Sequence, residues 1–287
     1  MTVAITGASG GLGRRVTELL LERMLPEDLL LLTRTPDALK HFAKRGVEVR
    51  KASFKNPTGL KADLHGVERL LLISADAGPN RLELQRQAVA VAAVAGVEHV
   101  VYTSMAQPSS DNPSFVIPDH AGTESALRES GMAWTFLRNN VYVEGAVLVA
   151  EQALQSGRLV TNAGDGGTAY VSRHDCARAA AAVLLTDGHE KEAYDITGTE
   201  AVTQEQLAEL ISDLTGAPIE LVALPDDAYF DHLIDSGVPQ AVADVMSSFG
   251  EATRGGFLGK VTSDVVDLTG RPPAALRDVL AKALKRT

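Results

Sequence analysis

One cysteine, Cys176, stands among 287 residues. A lone thiol closes no internal disulfide, and the reading that follows is a protein of the reducing cytoplasm. Long apolar runs are missing too: the longest, 29–32 and 141–149, fall short of a bilayer span or carry charge. No basic segment followed by an apolar core opens the chain. Val3, Ala4 and Ile5 lead straight into glycines, so neither a secretory leader nor a membrane anchor is expected. The seven histidines are scattered with no pair at ligand spacing, and no metal is expected. Basic residues almost vanish between 187 and 251, where 15 acidic side chains face only Lys191. An acidic surface of this kind repels phosphodiesters, so no nucleic-acid partner is expected, and the acids read as solvated helix faces.

What is present is alternation. Apolar, strand-like runs occur at 2–6, 29–33, 47–50, 68–73, 97–103 and 133–137, and helical stretches lie between them at 12–24, 36–44, 57–64, 81–95 and 119–130. Strands apolar along their whole length suit a parallel sheet covered on both faces. Gly46, Gly66, Gly96 and Gly131 each close a helical stretch, where a left-handed cap is wanted. After residue 140 the pattern becomes more helical: helices are expected at 142–154, from Ser172, from Thr203, at 225–237, at 239–248 and at 276–284. The fold class is therefore α/β, a doubly wound parallel-sheet Rossmann domain with a smaller, mostly helical C-terminal lobe for substrate. The expected division is 1–150 for the dinucleotide domain. Residues 151–287 complete the sheet, interleaved with the lobe, which lies mainly at about 187–262.

The first strand runs into Gly7-Ala8-Ser9-Gly10-Gly11-Leu12-Gly13, and a helix follows. A tight turn needs a residue tolerant of positive φ, a pyrophosphate must approach backbone N–H groups unobstructed, and a helix N-terminus favours anions. Strand before and glycines between make this a dinucleotide loop rather than a stray turn. The three-glycine spacing is similar to that of the short-chain dehydrogenase/reductase superfamily. At the tip of the second strand, NAD enzymes place an acid for the ribose 2′-hydroxyl. Here the chain reads Leu32-Thr33-Arg34-Thr35-Pro36, and Arg34 offers a guanidinium for a 2′-phosphate. NADP(H) is therefore the expected cofactor, with Asp37 set in the first turn of the next helix. No flavin is implied.

The superfamily's usual Tyr-x-x-x-Lys proton relay is absent. Four residues after Tyr102, Tyr142, Tyr170, Tyr194 and Tyr229 come Ala106, Ala146, His174, Gly198 and Leu233. Candidates for the chemistry are instead Ser104, at a strand end, His120, which shares a helix face with Glu124, and Tyr142 beyond the sixth strand.

Taken together these features resemble the atypical short-chain dehydrogenases of the NmrA-like group, and within it the bacterial NADPH-dependent quinone oxidoreductase 2 type. The resemblance runs through Leu70-Leu71-Leu72-Ile73-Ser74, Tyr102-Thr103-Ser104, His120 with Thr123-Glu124, and Leu137-Arg138-Asn139 with Tyr142 and Glu144. It continues in Ala163-Gly164-Asp165-Gly166 and Leu268-Thr269-Gly270-Arg271-Pro272. It implies cofactor contacts from the glycine loop, Arg34, the segment Ser74, Ala75 and Asp76, and Asn139 to Glu144, with Tyr142 flanking the nicotinamide. Departures occur at Ala52-Ser53-Phe54, where an Asp is usual, and at Asn140, Val141 and Gly145.

The activity these features imply is hydride transfer from NADPH to quinones or similar conjugated carbonyls, by a monomer or homodimer acting on a small molecule. A quinone tolerates the missing relay, because its hydroquinone anion is a weak base that takes a proton from water. Two alternatives remain: a non-enzymatic NADP(H)-binding redox sensor of the NmrA type, and an isoflavone-reductase-like ene reductase.

Overall fold

The structure, a computed structural model, describes residues 1–75, 78 and 80–285. Its strands are β1 (Val3–Thr6), β2 (Leu29–Thr33), β3 (Glu48–Lys51), β4 (Arg69–Leu72), β5 (His99–Met105), β6 (Ala133–Asn139), β7 (Arg158–Thr161), β8 (Gly167–Thr168), β9 (Glu192–Ile196), β10 (Val202–Thr203) and β11 (Glu220–Ala223). The helices are α1 (Gly11–Leu20), α2 (Lys40–Ala43), α3 (Pro57–Asp63), α4 (Arg81–Ala95), α5 (Ile117–Glu129), α6 (Val143–Ser156), α7 (Arg173–Leu185), α8 (Gln204–Thr215), α9 (Asp226–Asp235), α10 (Gln240–Arg254), α11 (Asp264–Thr269) and α12 (Leu276–Leu284).

Two compact units share the chain. The first comprises Met1–Met105, Pro118–Arg138 and Arg173–Tyr194. It holds the body of a sheet ordered β3-β2-β1-β4-β5-β6-β9. β1 lies parallel to both β2 and β4, with Ile5 opposite Leu31 on one side and Leu71 on the other. β2–β3 and β4–β5 are parallel as well. Order reverses at β1, so a crevice opens at the carboxyl ends of β1 and β4, the place where such sheets bind ligands. Strands β1, β2 and β5 are buried along their whole length, whereas edge strand β3 carries exposed Glu48 and Lys51. Charges there discourage further strand pairing.

Side chains alternate across the sheet. Ala4, Leu30, Leu32, Leu70 and Tyr102 pack with Leu60 of α3, Val89 of α4 and Leu127 of α5. On the opposite side α1 packs on β1, and α7 packs on α1, β4 and β5. Fully burying one leucine here contributes about 1.5–3 kcal/mol. The four glycines expected to cap helical stretches all have positive φ: Gly46 92°, Gly66 80°, Gly96 86° and Gly131 81°. The helix expected at 36–44 is broken into a 3-10 turn at Pro36–Leu39 followed by α2, because Pro36 and the turn geometry delay α-helical pairing.

The second unit comprises Ala106–Ile117, Asn139–Ser172 and Asp195–Thr287. Helices α6, α8 and α12 enclose Val143, Leu159, Leu207, Ile211 and Leu280, and α9 packs on α10 through Tyr229, Leu233 and Ala243. Helix α8 opens with a complete capping box: the Thr203 hydroxyl accepts from Gln206 N–H at 3.2 Å, and Gln206 Oε1 accepts from Thr203 N–H at 2.9 Å. The unit also has two small sheets, parallel β7–β11 and antiparallel β8–β10, and β7 is the short strand expected between the 142–154 helix and the turn at Gly164. Among the described residues no helix is long and apolar enough to cross a membrane, and no group of three or more His, Cys, Asp or Glu is placed to hold a metal ion.

Candidate functional site

At the end of β1 the chain turns through Gly7 with φ 62°, a left-handed conformation that glycine adopts without a Cβ clash. Gly10 N–H returns to Gly7 O at 2.9 Å and closes the turn. Gly10 is also the N-cap of α1, where it has no side chain to cap the helix, and no acid occupies the first turn. The N–H groups of Gly11, Leu12 and Gly13 thus lie at the positive pole of the helix, an arrangement that receives an anion. The glycines have different tasks. A Cβ on Gly13 would lie 2.7 Å from Ala8 Cα and 2.8 Å from Gly7 O, so glycine there lets α1 pack against the loop. A Cβ on Gly10 would meet only Gly7 O, at 3.2 Å. That contact is less severe than the one at Gly13, so a small shift of the turn relieves it.

Because β2 neighbours β1, its tip stands beside the loop. Thr33 Oγ1 donates to Ser9 Oγ at 2.7 Å and Thr35 Oγ1 donates to it at 3.1 Å, while Thr35 N–H donates to Thr33 Oγ1 at 3.1 Å. With Ser9 Oγ accepting twice, its own proton is directed elsewhere. Exposed Arg34 sits between the two threonines. Asp37 pairs with Lys40 at 2.9 Å in the turn that follows. That lysine's hydrogen bond and charge hold its carboxyl below the usual carboxylate range. The tip itself carries a cation and hydroxyls and no acid.

These elements border a cleft of about 550 Å³ within the first unit, a size suited to a cofactor. Gly7, Ser9, Gly10 and Arg34 form one wall, Ala52, Ser53, Phe54 and Leu60 another, and Ile73, Ser74, Ala75 and Arg81 a third. The departure at 52–54 thus gives the second wall an apolar face in place of a carboxylate. Backbone of the third wall is pinned at each residue: Ile73 N–H donates to Thr6 Oγ1 at 3.1 Å, Ser74 N–H to Thr103 Oγ1 at 2.9 Å, and Ala75 N–H to Gln85 Oε1 at 3.2 Å. Asp76 lies outside the described residues.

Ser104 and His120 are buried in the first unit. Ser104 Oγ donates to Glu124 Oε1 at 2.8 Å. The Glu124 carboxylate, 1% exposed, also takes paired bonds from Arg138 at 3.0 and 2.8 Å and one from Arg128 at 2.8 Å. His120 and Glu124 share a helix as expected, yet they face the interior and not solvent. His120 Nε2 meets Arg81 Nη2 at 2.9 Å and Nδ1 meets Tyr102 Oη at 3.0 Å. Burial, aided by the Arg81 charge, pushes the imidazole down to about 3. Burial likewise pushes the Tyr102 hydroxyl up.

Asn139, Tyr142 and Glu144 belong to the second unit. Asn139 Nδ2 donates to Tyr142 Oη at 3.2 Å. Asn139 Oδ1 is buried and has no hydrogen-bond partner among the described residues. An acceptor left so costs about 1–3 kcal/mol, which a ligand's donor removes. Tyr142 precedes α6 as its N-cap and Glu144 lies in the first turn of that helix, where its charge suits the dipole. One of the departures finds a reason. Asn140 Nδ2 donates to Leu258 O at 3.0 Å while its Oδ1 accepts from Val141 N–H at 2.8 Å, so it ties down its own loop. A Cβ on Gly145 would meet nothing within 4 Å, so nothing in the structure explains glycine there.

Residues 7–187, which include the glycine loop and all of the cleft lining but Thr6, match the family model described as NAD(P)H-binding. The chain belongs to that NAD(P)H-binding family. Quinone oxidoreductase 2 of Escherichia coli K12 is 32% identical over 276 residues, 96% of this chain and 96% of its own. The crystal structure of an NADPH-dependent quinone oxidoreductase from Escherichia coli, complexed with NADPH, superposes with a TM-score of 0.95 at 31% identity, covering 99% of this chain and 100% of that one. The Citrobacter sp. triphenylmethane reductase complexed with NADP(H) gives 0.89 at 29% identity, again covering 99% and 100%. The likeness is one of family, within the NmrA-like branch.

For an NAD(P)H-binding protein, several of the residues that shape this cleft have ordinary-looking sequence surroundings. Thr6, Thr103, Arg81 and Gln85 hold its third wall, yet Arg81 and Gln85 open α4 with the composition of a solvent-facing turn. The one signal available was their spacing of four, which puts them on one helix face.

Proposed function

We propose that this protein is an NADPH-dependent reductase that passes hydride to quinones or similar conjugated carbonyls. The observation that carries this reading is a dinucleotide cleft ending at an acid-free, cationic β2 tip, in a chain without the Tyr-x-x-x-Lys relay. The residues of the first unit fit the cofactor: a glycine turn, an uncapped helix N-terminus, and Arg34 between two hydroxyls. The relationship to an Escherichia coli quinone oxidoreductase and a Citrobacter triphenylmethane reductase supports reduction of flat conjugated acceptors.

NADPH, when bound, supplies a hydride. In the balanced reaction NADPH, a proton and a quinone give NADP⁺ and a hydroquinone. Gly10 to Gly13 would hold the pyrophosphate at the N-terminus of α1, and Arg34 would hold the 2′-phosphate with the Ser9 hydroxyl near it. Asn139, Tyr142 and Glu144 are the residues proposed for the nicotinamide side, with the Tyr142 ring covering a flat acceptor and excluding water. No side-chain acid is needed, because the hydroquinone anion has a phenol-like pKa of about 10 and takes its proton from water. Ser104 and His120, engaged by Glu124 and by Arg81 and Tyr102, act by positioning.

The test is NADPH oxidation against a panel of benzoquinones, naphthoquinones and conjugated enones, with air oxidation controlled. Turnover with quinones and none with simple ketones is the expected result. Tight NADPH binding without turnover of any acceptor would replace this reading with the redox sensor, and turnover confined to enones would replace it with an ene reductase.

A further inference from the structure

Ala75, on the third wall of the cleft, has both backbone groups held by one closed circuit of side chains. Arg81 Nε donates to Ala75 O at 2.8 Å, and Arg81 Nη2 reaches His120 Nε2 at 2.9 Å. His120 Nδ1 meets Tyr102 Oη at 3.0 Å, Tyr102 Oη donates to Gln85 Oε1 at 3.5 Å, and that oxygen accepts Ala75 N–H at 3.2 Å. All four side chains are buried: Arg81 6%, Gln85 0%, Tyr102 0% and His120 5% exposed.

The directions are forced. A guanidinium only donates, so His120 Nε2 accepts and carries no proton. The neutral ring then carries its proton on Nδ1 and donates a hydrogen bond to Tyr102 Oη, whose own hydroxyl donates to Gln85 Oε1. Thr123 Oγ1, which accepts from Gln85 Nε2 at 3.0 Å and donates to Asp119 O at 2.7 Å, braces the same cluster, and a buried network satisfied throughout is stiff. Asp119, 3.4 Å from Arg81 Nη1, balances the charge.

We propose that this circuit is a positioning device: His120 and Tyr102 act through Arg81 and Gln85 to fix the Ser74–Ala75 wall against the bound dinucleotide, and touch neither substrate nor hydride path. This rests on the reading of the cleft as the NADPH site. It accounts for a buried histidine with both nitrogens engaged, and it assigns a tyrosine of the first unit to cofactor affinity and not to proton transfer.

The experiment measures NADPH dissociation constants by calorimetry for the full chain, Tyr102→Phe, His120→Ala and the double variant, each checked for folding by thermal melting. Steady-state KM and kcat accompany them. The expected result is an affinity for NADPH weakened about tenfold in each single variant, the loss typical of a broken charged or buried hydrogen bond. Turnover at saturating NADPH should fall by less than about twofold. The double variant should be no weaker than the worse single one, because either break opens the same circuit. Tyr102→Phe keeps the ring and volume, so it carries the comparison if His120→Ala does not fold. Unchanged NADPH affinity in folded Tyr102→Phe, additive losses in the double variant, or a loss falling on kcat alone would each overturn the inference. Absence of NADPH binding by the unaltered protein would overturn the reading of the cleft itself, and is distinguished by the first titration.

Discussion

The Ser104 hydroxyl donates to Glu124 across 2.8 Å, and Arg138 grips the same carboxylate with two bonds. A serine at the end of β5 is thereby committed to a buried ion pair. Removing one partner of such a pair strands the other: Glu124→Ala should destabilise the protein by about 3–5 kcal/mol in urea unfolding. Ser104→Ala should cost about 1 kcal/mol and keep most of the turnover. Loss of turnover in a Ser104→Ala protein with an unaltered unfolding midpoint would place Ser104 in the chemistry.

Arg34 should set the choice of cofactor. Arg34→Ala removes a charge-assisted bond worth about 1.5–3 kcal/mol to the 2′-phosphate, so NADPH should bind roughly 10- to 100-fold more weakly while NADH changes little. Parallel losses for both cofactors in calorimetry would show that Arg34 makes no distinction between them.

Gly10 and Gly13 should fail in different ways. At Gly13 an added Cβ meets Ala8 Cα at 2.7 Å, so Gly13→Ala should lower the melting temperature, through a destabilisation of about 1–3 kcal/mol. At Gly10 the nearest atom to an added Cβ is Gly7 O at 3.2 Å, so Gly10→Val should fold and lose dinucleotide affinity. A folded Gly10→Val protein that still binds NADPH would move the pyrophosphate elsewhere.

Stability should depend on His120 below neutrality. Its folded pKa is held at about 3 by burial and by Arg81, against 6.5 when free. Arg81 and Asp119 are the charged groups set around it, and Tyr102 is its neutral partner. Between those two values the unfolded chain takes up a proton that the folded one refuses. The contribution is therefore complete above 6.5 and is lost as pH falls toward 3, with a slope of at most about 1.4 kcal/mol per pH unit. Burial lowers His99 as well, which adds a slope of the same sign. Urea midpoints should fall more steeply on acidification in the unaltered protein than in His120→Gln, and equal slopes would contradict a neutral buried His120.

Tyr142 is expected to work through its ring. Tyr142→Phe gives up the bond from Asn139 Nδ2 at 3.2 Å and should retain most turnover, whereas Tyr142→Ala should lose much of it with the fold intact. Equal inactivity of both variants would assign chemistry to the hydroxyl and withdraw solvent as the proton source.

The sequence by itself determined the dinucleotide loop, the cation at the β2 tip and the order of strands and helices from β1 to β6. Each of these rests on local rules: the backbone angle of Gly7, the absence of an acid beside Arg34, and unbroken apolar strands that need cover on both faces. The glycine caps and the Thr203 capping box were legible for the same reason, since a helix end is satisfied by neighbours a few residues away. Tertiary structure alone decided what His120, Ser104 and Arg81 do. Spacing put His120 and Glu124 on one face of α5, but not which side of that helix is buried. Arg81 and His120 are 39 positions apart, and Tyr102 reaches His120 across 18. A hydrogen bond between distant buried groups has no sequence period. It exists only because packing α4 and α5 on the sheet removes those groups from water and leaves them each other as partners.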